Sequence, residues 1–239
     1  MKLSESTPWI DYWEKDDFWA NSVIWQRNAE LLIKNVAGVL SLGPQDEVLT
    51  IGCGGGQLEA LLAPQVRSLL ATDVSRSFLQ LSQSRCKKFP NVHVQPLPET
   101  YTDLSGLGTF SQIFCVSVIQ YYQSKEEVED LLRSAKSVLK PGGKLLLADI
   151  PVHESFLSGG KSILQSWRDH YWHDLLQTFL RLKMQSSSYK TAAAKYPTLD
   201  FDRAEFENLA QRVNFKITWV QKPLSVHVNR LNLLIEFPS

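Results

Sequence analysis

Neither sign of charge is in excess: 25 lysines and arginines face 25 aspartates and glutamates. The chain therefore lacks a global field to attract a polyanion, which disfavours a dedicated nucleic-acid binder. Cysteine is scarce as well. Cys53, Cys86 and Cys115 are odd in number and far apart, with no Cys-x-x-Cys or Cys/His spacing, so no metal site is expected. Cys53 and Cys115 read as small buried side chains. No stretch reaches the roughly 18 uninterrupted apolar residues of a membrane span. Residues 1–8 lack the basic-then-apolar order of an export signal. By exclusion, these absences predict a cytoplasmic protein without nucleic-acid or membrane partners.

What is present is material for a core. Hydrophobic residues make up 44% of the 239 positions, and seven residues are tryptophan, more than a disordered chain carries. The length suits one large α/β domain over 1–239 rather than two independent ones. No internal repeat stands out. Across residues 47–150 short apolar runs alternate with helical spacing, as successive βα units of a mostly parallel sheet require. Strands are predicted at Val48–Ile51, Ser68–Thr72, Val92–Gln95, Gln112–Ser117 and Lys144–Ile150, with helices at Gln57–Leu62 and Ser75–Lys87. Ser124-Lys125-Glu126-Glu127 reads as a capping box opening a further helix. Pro141-Gly142-Gly143 reads as the stop that ends that helix and turns the chain into the fifth strand. In residues 201–239, Asp202-Arg203-Ala204-Glu205 is a second cap, and Lys216–Gln221 with Val226–Phe237 an antiparallel pair about Pro223.

Two stretches stand outside this alternation. Residues 9–40 form an aromatic helical segment. Residues 151–200 form a long connection, with helical spacing and aromatic rings over 162–184 and a small, polar part over 186–196. Its length and its aromatic content predict a lid.

The chemistry centres on Gly52-Cys53-Gly54-Gly55-Gly56, between the first strand and the first helix. Glycine there lets a backbone come close to a ligand. A dinucleotide site wants G-x-G-x-x-G, but Gln57 occupies the place of its last glycine. Asp73 ends the second strand, about 20 residues after Gly52, where a carboxylate accepts the ribose hydroxyls of an adenosine. The competing reading of Asp73 is a helix N-cap.

At these residues the chain resembles the class I S-adenosylmethionine-dependent methyltransferases. Val48-Leu49-Thr50-Ile51-Gly52-Cys53-Gly54-Gly55-Gly56 looks like the family's first motif, and Leu70-Ala71-Thr72-Asp73-Val74-Ser75 like its second-strand motif. Residues 110–122 resemble its fourth-strand motif, and Leu139-Lys140-Pro141-Gly142-Gly143-Lys144-Leu145-Leu146-Leu147 the turn into its fifth strand. The resemblance implies a Rossmann-like, doubly wound, mostly parallel seven-stranded sheet with an antiparallel C-terminal strand pair, N-terminal helices and a helical lid. It implies S-adenosylmethionine as cofactor and S-adenosylhomocysteine as product. The implied cofactor contacts are Thr50, Gly52, Cys53, Gly54, Gly56, Asp73, Val74, Pro98, Glu99, Val116 and Ser117, with Tyr12 from the N-terminal helix. Two positions depart from the family's pattern. An acid that helps anchor the methionine end usually stands at Thr50, and one that contacts the adenine amino group usually stands at Pro98. Neighbouring Glu99 is placed to take over the second role.

The acceptor is expected beyond the carboxyl ends of the fourth and fifth strands, under the lid. Gln120, Tyr122, Trp167 and Tyr171 are the candidate substrate contacts, and Tyr121 and His153 the candidate catalytic groups. His153 is preferred as a base, since an unperturbed imidazole titrates near neutrality, against the reading that it is a surface loop histidine. His170 and His173 share one helix face but lack an acidic third ligand at a helpful spacing. His93 and His227 fall in predicted strands and read as structural. The expected activity is methyl transfer to oxygen or nitrogen of a small molecule, a natural product or sugar-containing metabolite. The alternatives are a surface polysaccharide or other macromolecule as acceptor, or a non-catalytic binding protein on the same fold. Gln57 argues against a nicotinamide oxidoreductase.

Overall fold

The computed structural model describes residues 8–15, 23–98, 100–152, 191–227 and 229–238. Most of the expected lid, including His153, Trp167, Tyr171, His170 and His173, lies outside the described residues, as does Glu99.

Seven strands form one sheet: β1 (Glu47–Ile51), β2 (Ser68–Asp73), β3 (Val92–Pro96), β4 (Phe110–Val116), β5 (Leu139–Pro151), β6 (Lys216–Trp219) and β7 (Arg230–Glu236). Their order across the sheet is β3-β2-β1-β4-β5-β7-β6. Strands β1 to β5 pair in parallel, while β7 runs antiparallel to both β5 and β6. Val48, Leu49 and Ile51 on β1 are each at most 1% exposed, because helices cover both faces of a parallel sheet. The described helices include α1 (Pro8–Lys15), α2 (Val23–Val36), α3 (Gln57–Leu62), α4 (Arg76–Cys86), α5 (Lys125–Val138) and α6 (Arg203–Val213). On one face Leu131, Leu132 and Ala135 of α5 and Phe206 and Leu209 of α6 pack against Leu49, Ile113 and Leu147. On the other, Leu32 and Val36 of α2, Leu62 of α3 and Leu79 of α4 pack against Val48, Leu69 and Phe114. Each fully buried Leu or Phe contributes roughly 1.5–3 kcal/mol. The strand order reverses between β1 and β4, and at such a switch point a doubly wound sheet opens its binding crevice.

Three local details differ from the sequence reading. Helix α5 ends at Val138 and β5 begins directly at Leu139. Phe110 pairs with Leu139, but Gln112 pairs with Lys144. The Pro141-Gly142-Gly143 segment therefore makes a bulge inside the strand rather than a turn before it. At the other end of α5, Ser124 accepts from the Glu127 amide at 3.4 Å. The Glu127 carboxylate reaches past it to the Gln123 amide at 2.8 Å and the Tyr101 hydroxyl at 3.0 Å, so only half of the predicted box closes. Strand β7 starts at Arg230, which leaves His227 in the turn ahead of it. The second cap forms as read: Asp202 accepts from the Glu205 amide at 2.8 Å and Glu205 from the Asp202 amide at 2.9 Å.

Candidate active site

Strand β1 delivers the chain into the glycine turn at the switch point. The Gly52 and Cys53 amides both donate to Thr72 O, at 2.8 and 2.9 Å, which straps the turn to β2. Asp73 finishes the job. Its Oδ2 accepts from the Gly54 amide at 2.8 Å and its Oδ1 from the Ser75 amide at 2.9 Å. Burial pushes the Asp73 carboxyl up, and those two amides pull against that shift. The cap of α4 belongs to Ser75, whose hydroxyl accepts from the Phe78 amide at 3.2 Å. Asp73 is thus a brace for the turn, with lone pairs left on each oxygen for further donors.

A cavity of about 470 Å³ opens above this turn. Of the residues singled out as cofactor contacts, Thr50, Gly52, Cys53, Gly54, Asp73, Val74, Val116 and Ser117 border it. Gly56, Pro98 and Tyr12 do not. Gly56 (φ +80) turns toward α4, where an added Cβ would stand 2.8 Å from Ser82 Cα. Around Pro98, it is Leu97 and Tyr101 that form the wall. Tyr12 packs edge-on against Trp9 and Trp13, with centroids 5.9 and 4.8 Å apart, and those two tryptophans face the cavity in its place. Gln120, Tyr121 and Tyr122 all border the cavity. Tyr122 is also part of the core, and its hydroxyl donates to Tyr101 O at 3.3 Å.

The roof comes from the N-terminal helices. Trp13 lies 6.0 Å from Trp25 and 5.3 Å from Tyr121, and Trp25 lies 5.6 Å from Phe78, centroid to centroid. Trp25 sits so close over Gly54 that a Cβ there would be 2.7 Å from its ring. Helix α1 is tied to the start of α4: Glu14 Oε2 accepts from the Arg76 amide at 2.7 Å and Glu14 O from the Ser77 hydroxyl at 3.1 Å. The spacing of aromatics signals a roof, but not which rings turn inward.

A polar group of side chains also borders the cavity, where β4 and β5 end. Ser117, after β4, and Asp149, in β5, are non-glycine residues at φ +58 and +59. Backbone held in that region stores strain of order 1–3 kcal/mol and clusters at functional sites. Here the surroundings hold it in place. The Ser117 hydroxyl donates to Asp149 Oδ2, the Ser225 hydroxyl to Asp149 Oδ1 at 2.5 Å, and the Asp149 amide to Asn232 Oδ1 at 2.8 Å. Arg230, 3.8 Å from Asp149, and His227 border the cavity too. Gln120, also on the cavity wall, is 6% exposed, and its buried Oε1 has no hydrogen-bond partner among the described residues. Under the turn, Glu59 of α3 is 1% exposed, with neither carboxylate oxygen bonded among the described residues.

Among the described residues no cluster of His, Cys, Asp and Glu is arranged to hold a metal, and no helix is long and apolar enough to cross a membrane.

Residues 48–143 match the family described as a methyltransferase domain. Chondramide synthase of Chondromyces crocatus is 40% identical over 48% of the chain, a match covering 3% of that protein. Demethylmenaquinone methyltransferase of Tropheryma whipplei is 26% identical over 56% of the chain and 51% of its own length. The chain thus spans a small part of the first relative and about half of the second. Among solved structures, the DhpI–SAH complex shares the fold with a TM-score of 0.64 at 12% identity, covering 97% of each chain. Residues 48–143, set in this sheet order behind this glycine turn, thus match a methyltransferase domain, on a fold shared with the solved structure above.

Proposed function

We propose that the chain is an enzyme that transfers a methyl group from S-adenosylmethionine to a small-molecule acceptor. The observation that carries this reading is the cavity itself. Its wall combines a backbone turn braced by Asp73 with the polar side chains of Gln120, Ser117 and Asp149, under an aromatic roof. Asp73 is the residue for the ribose hydroxyls, while Gly52 and Gly54 let the backbone close on the ligand. When bound, S-adenosylmethionine supplies an electrophilic methyl on a positively charged sulfur, with a neutral thioether as leaving group. The work left to the protein is to align the acceptor and exclude water, and alignment alone accounts for several kcal/mol.

The acceptor is placed by Gln120 and Tyr121 at the ends of the parallel strands. Gln120 Oε1, buried without a partner, favours an acceptor that presents an N–H or O–H donor, since leaving that oxygen unpaired costs about 1–3 kcal/mol. The Tyr121 hydroxyl is the described candidate for relaying the acceptor's proton, and His153 remains a candidate for the base. The matches to a fragment of chondramide synthase and to a demethylmenaquinone methyltransferase support a small acceptor. Thermal melts with S-adenosylmethionine, S-adenosylhomocysteine and NAD test the cofactor. Stabilisation by NAD alone overturns the reading, as does a failure of both sulfur ligands. Methylation of candidate acceptors, followed by mass, tests the substrate class: acceptors confined to macromolecules would reject a small one.

A further inference from the structure

Glu59 lies in the first turn of α3, where an acidic side chain ordinarily sits in water beside the helix's positive end. Here it is buried, borders the cavity with Thr50, Gly52 and Gly54, and has both carboxylate oxygens unpartnered among the described residues. A buried carboxylate in that state is among the most costly arrangements a fold carries, unless a cation completes it. Among the described residues none of the groups around it bonds to either oxygen. From the turn comes Cys53, from β1 the Thr50 hydroxyl, from β2 Asp73, and from α4 Arg85 and Cys86. Asp73 adds a second negative charge. Arg85 carries the cation among these groups, and its Nη1 donates to Gly55 O at 2.7 Å.

The ligand proposed above carries two positive centres, a sulfonium and an α-ammonium. The two differ in hydrogen bonding. A sulfonium has no N–H to give, whereas an ammonium donates three hydrogen bonds and suits a carboxylate with two empty oxygens. We propose that Glu59 is the counter-charge for the α-ammonium group at the methionine end of the cofactor, an inference resting on the methyltransferase reading. Thr50, whose buried hydroxyl is also unpartnered, stands beside it and accompanies it on the cavity floor. Because burial holds the Glu59 carboxyl up at about 7, binding of the ammonium draws on an ionisation incomplete below neutrality. Affinity for a ligand with that group then rises as pH climbs from 6 through 7, and falls again once the ligand's own ammonium loses its proton.

Isothermal titration calorimetry on the full chain tests this with S-adenosylmethionine, S-adenosylhomocysteine and methylthioadenosine, which keeps the adenosine and the thioether but lacks the amino-acid end. Wild-type affinity for the first two is expected to rise from pH 6 through 7 while that for methylthioadenosine stays flat, a comparison that needs no variant. Glu59→Gln is expected to weaken both amino-acid ligands at least tenfold at pH 8, to leave methylthioadenosine within about twofold, and to abolish that rise. Loss of S-adenosylmethionine binding alone would put the carboxylate at the sulfonium and overturn the assignment. Equal weakening of all three would make Glu59 a support of the fold, and no change would leave it without a role; either overturns the inference while the methyltransferase reading stands. If the wild type binds neither sulfonium cofactor nor product, both fall together.

Discussion

A Cβ on residue 56 would meet the backbone of α4, 2.8 Å from Ser82 Cα, on a chain already at φ +80. Gly56→Ala is therefore expected to lower the free energy of unfolding by about 1–3 kcal/mol. Gly106→Ala, with nothing within 4 Å of the new atom, should stay within about 0.5 kcal/mol of wild type; urea melts of the two compare them directly. Glu59 gives a second prediction, with its sign fixed by burial. Its carboxyl ionises near 4.5 when unfolded and at about 7 when folded. Between those values the native state keeps a proton that the unfolded chain has lost. The stability it confers is present below pH 4.5, declines as pH rises to 7, and is flat beyond. Relative to Glu59→Gln, the unliganded wild type should lose up to about 3 kcal/mol across that window, read from melts at each pH; parallel curves would refute it. Asp73 was legible in the sequence because it ends a strand at a known distance from the turn. Its rival role as a helix cap went to Ser75, one detail that only the hydrogen bonds decide. Glu59 was not legible, since an acid in a first helical turn looks like a solvated partner of the helix end.

At the scale of elements, the strands were the readable part. Continuous apolar runs such as Leu145, Leu146 and Leu147 have one good explanation, burial on both faces of a parallel sheet. Less readable were the joints. Pro141-Gly142-Gly143 carries every sign of a turn, yet the ladder resumes around it as a bulge, because pairing with β4 and β7 outweighs local preference. The inward choice of Trp9 and Trp13 over Tyr12 was hidden for another reason: it depends on how α1 is docked, and that is set by Glu14 at the start of α4. Glu14→Ala removes an acceptor at a helix N-terminus, worth about 1 kcal/mol. Amide exchange in residues 8–15 should quicken and S-adenosylhomocysteine should bind about fivefold more weakly. Unaltered exchange would mean that the aromatic contacts alone seat the helix. At α6, Asp202→Ala opens a complete reciprocal cap and should cost about 1 kcal/mol in a urea melt.

For the molecule as a whole, occupancy of the cavity couples to every element that walls it. Ligand at about 100 times its dissociation constant adds roughly 2.7 kcal/mol, which in a chain of this size moves the melting midpoint by about 5–10 °C. S-adenosylhomocysteine should produce that shift and Asp73→Ala should shrink it, both by scanning calorimetry; an undiminished shift would remove the ribose role from Asp73. Strand β7 has a different consequence. It follows β6 in the chain but is inserted between β5 and β6, so its pairing with Lys144–Leu147 joins segments made far apart in time on the ribosome. Until residues 230–236 emerge, β5 has an open edge and β6 has no neighbour. A nascent chain paused at residue 229 thus displays an apolar strand ready to pair with another copy. The last pairing to form is also the one that shields the growing protein from aggregation.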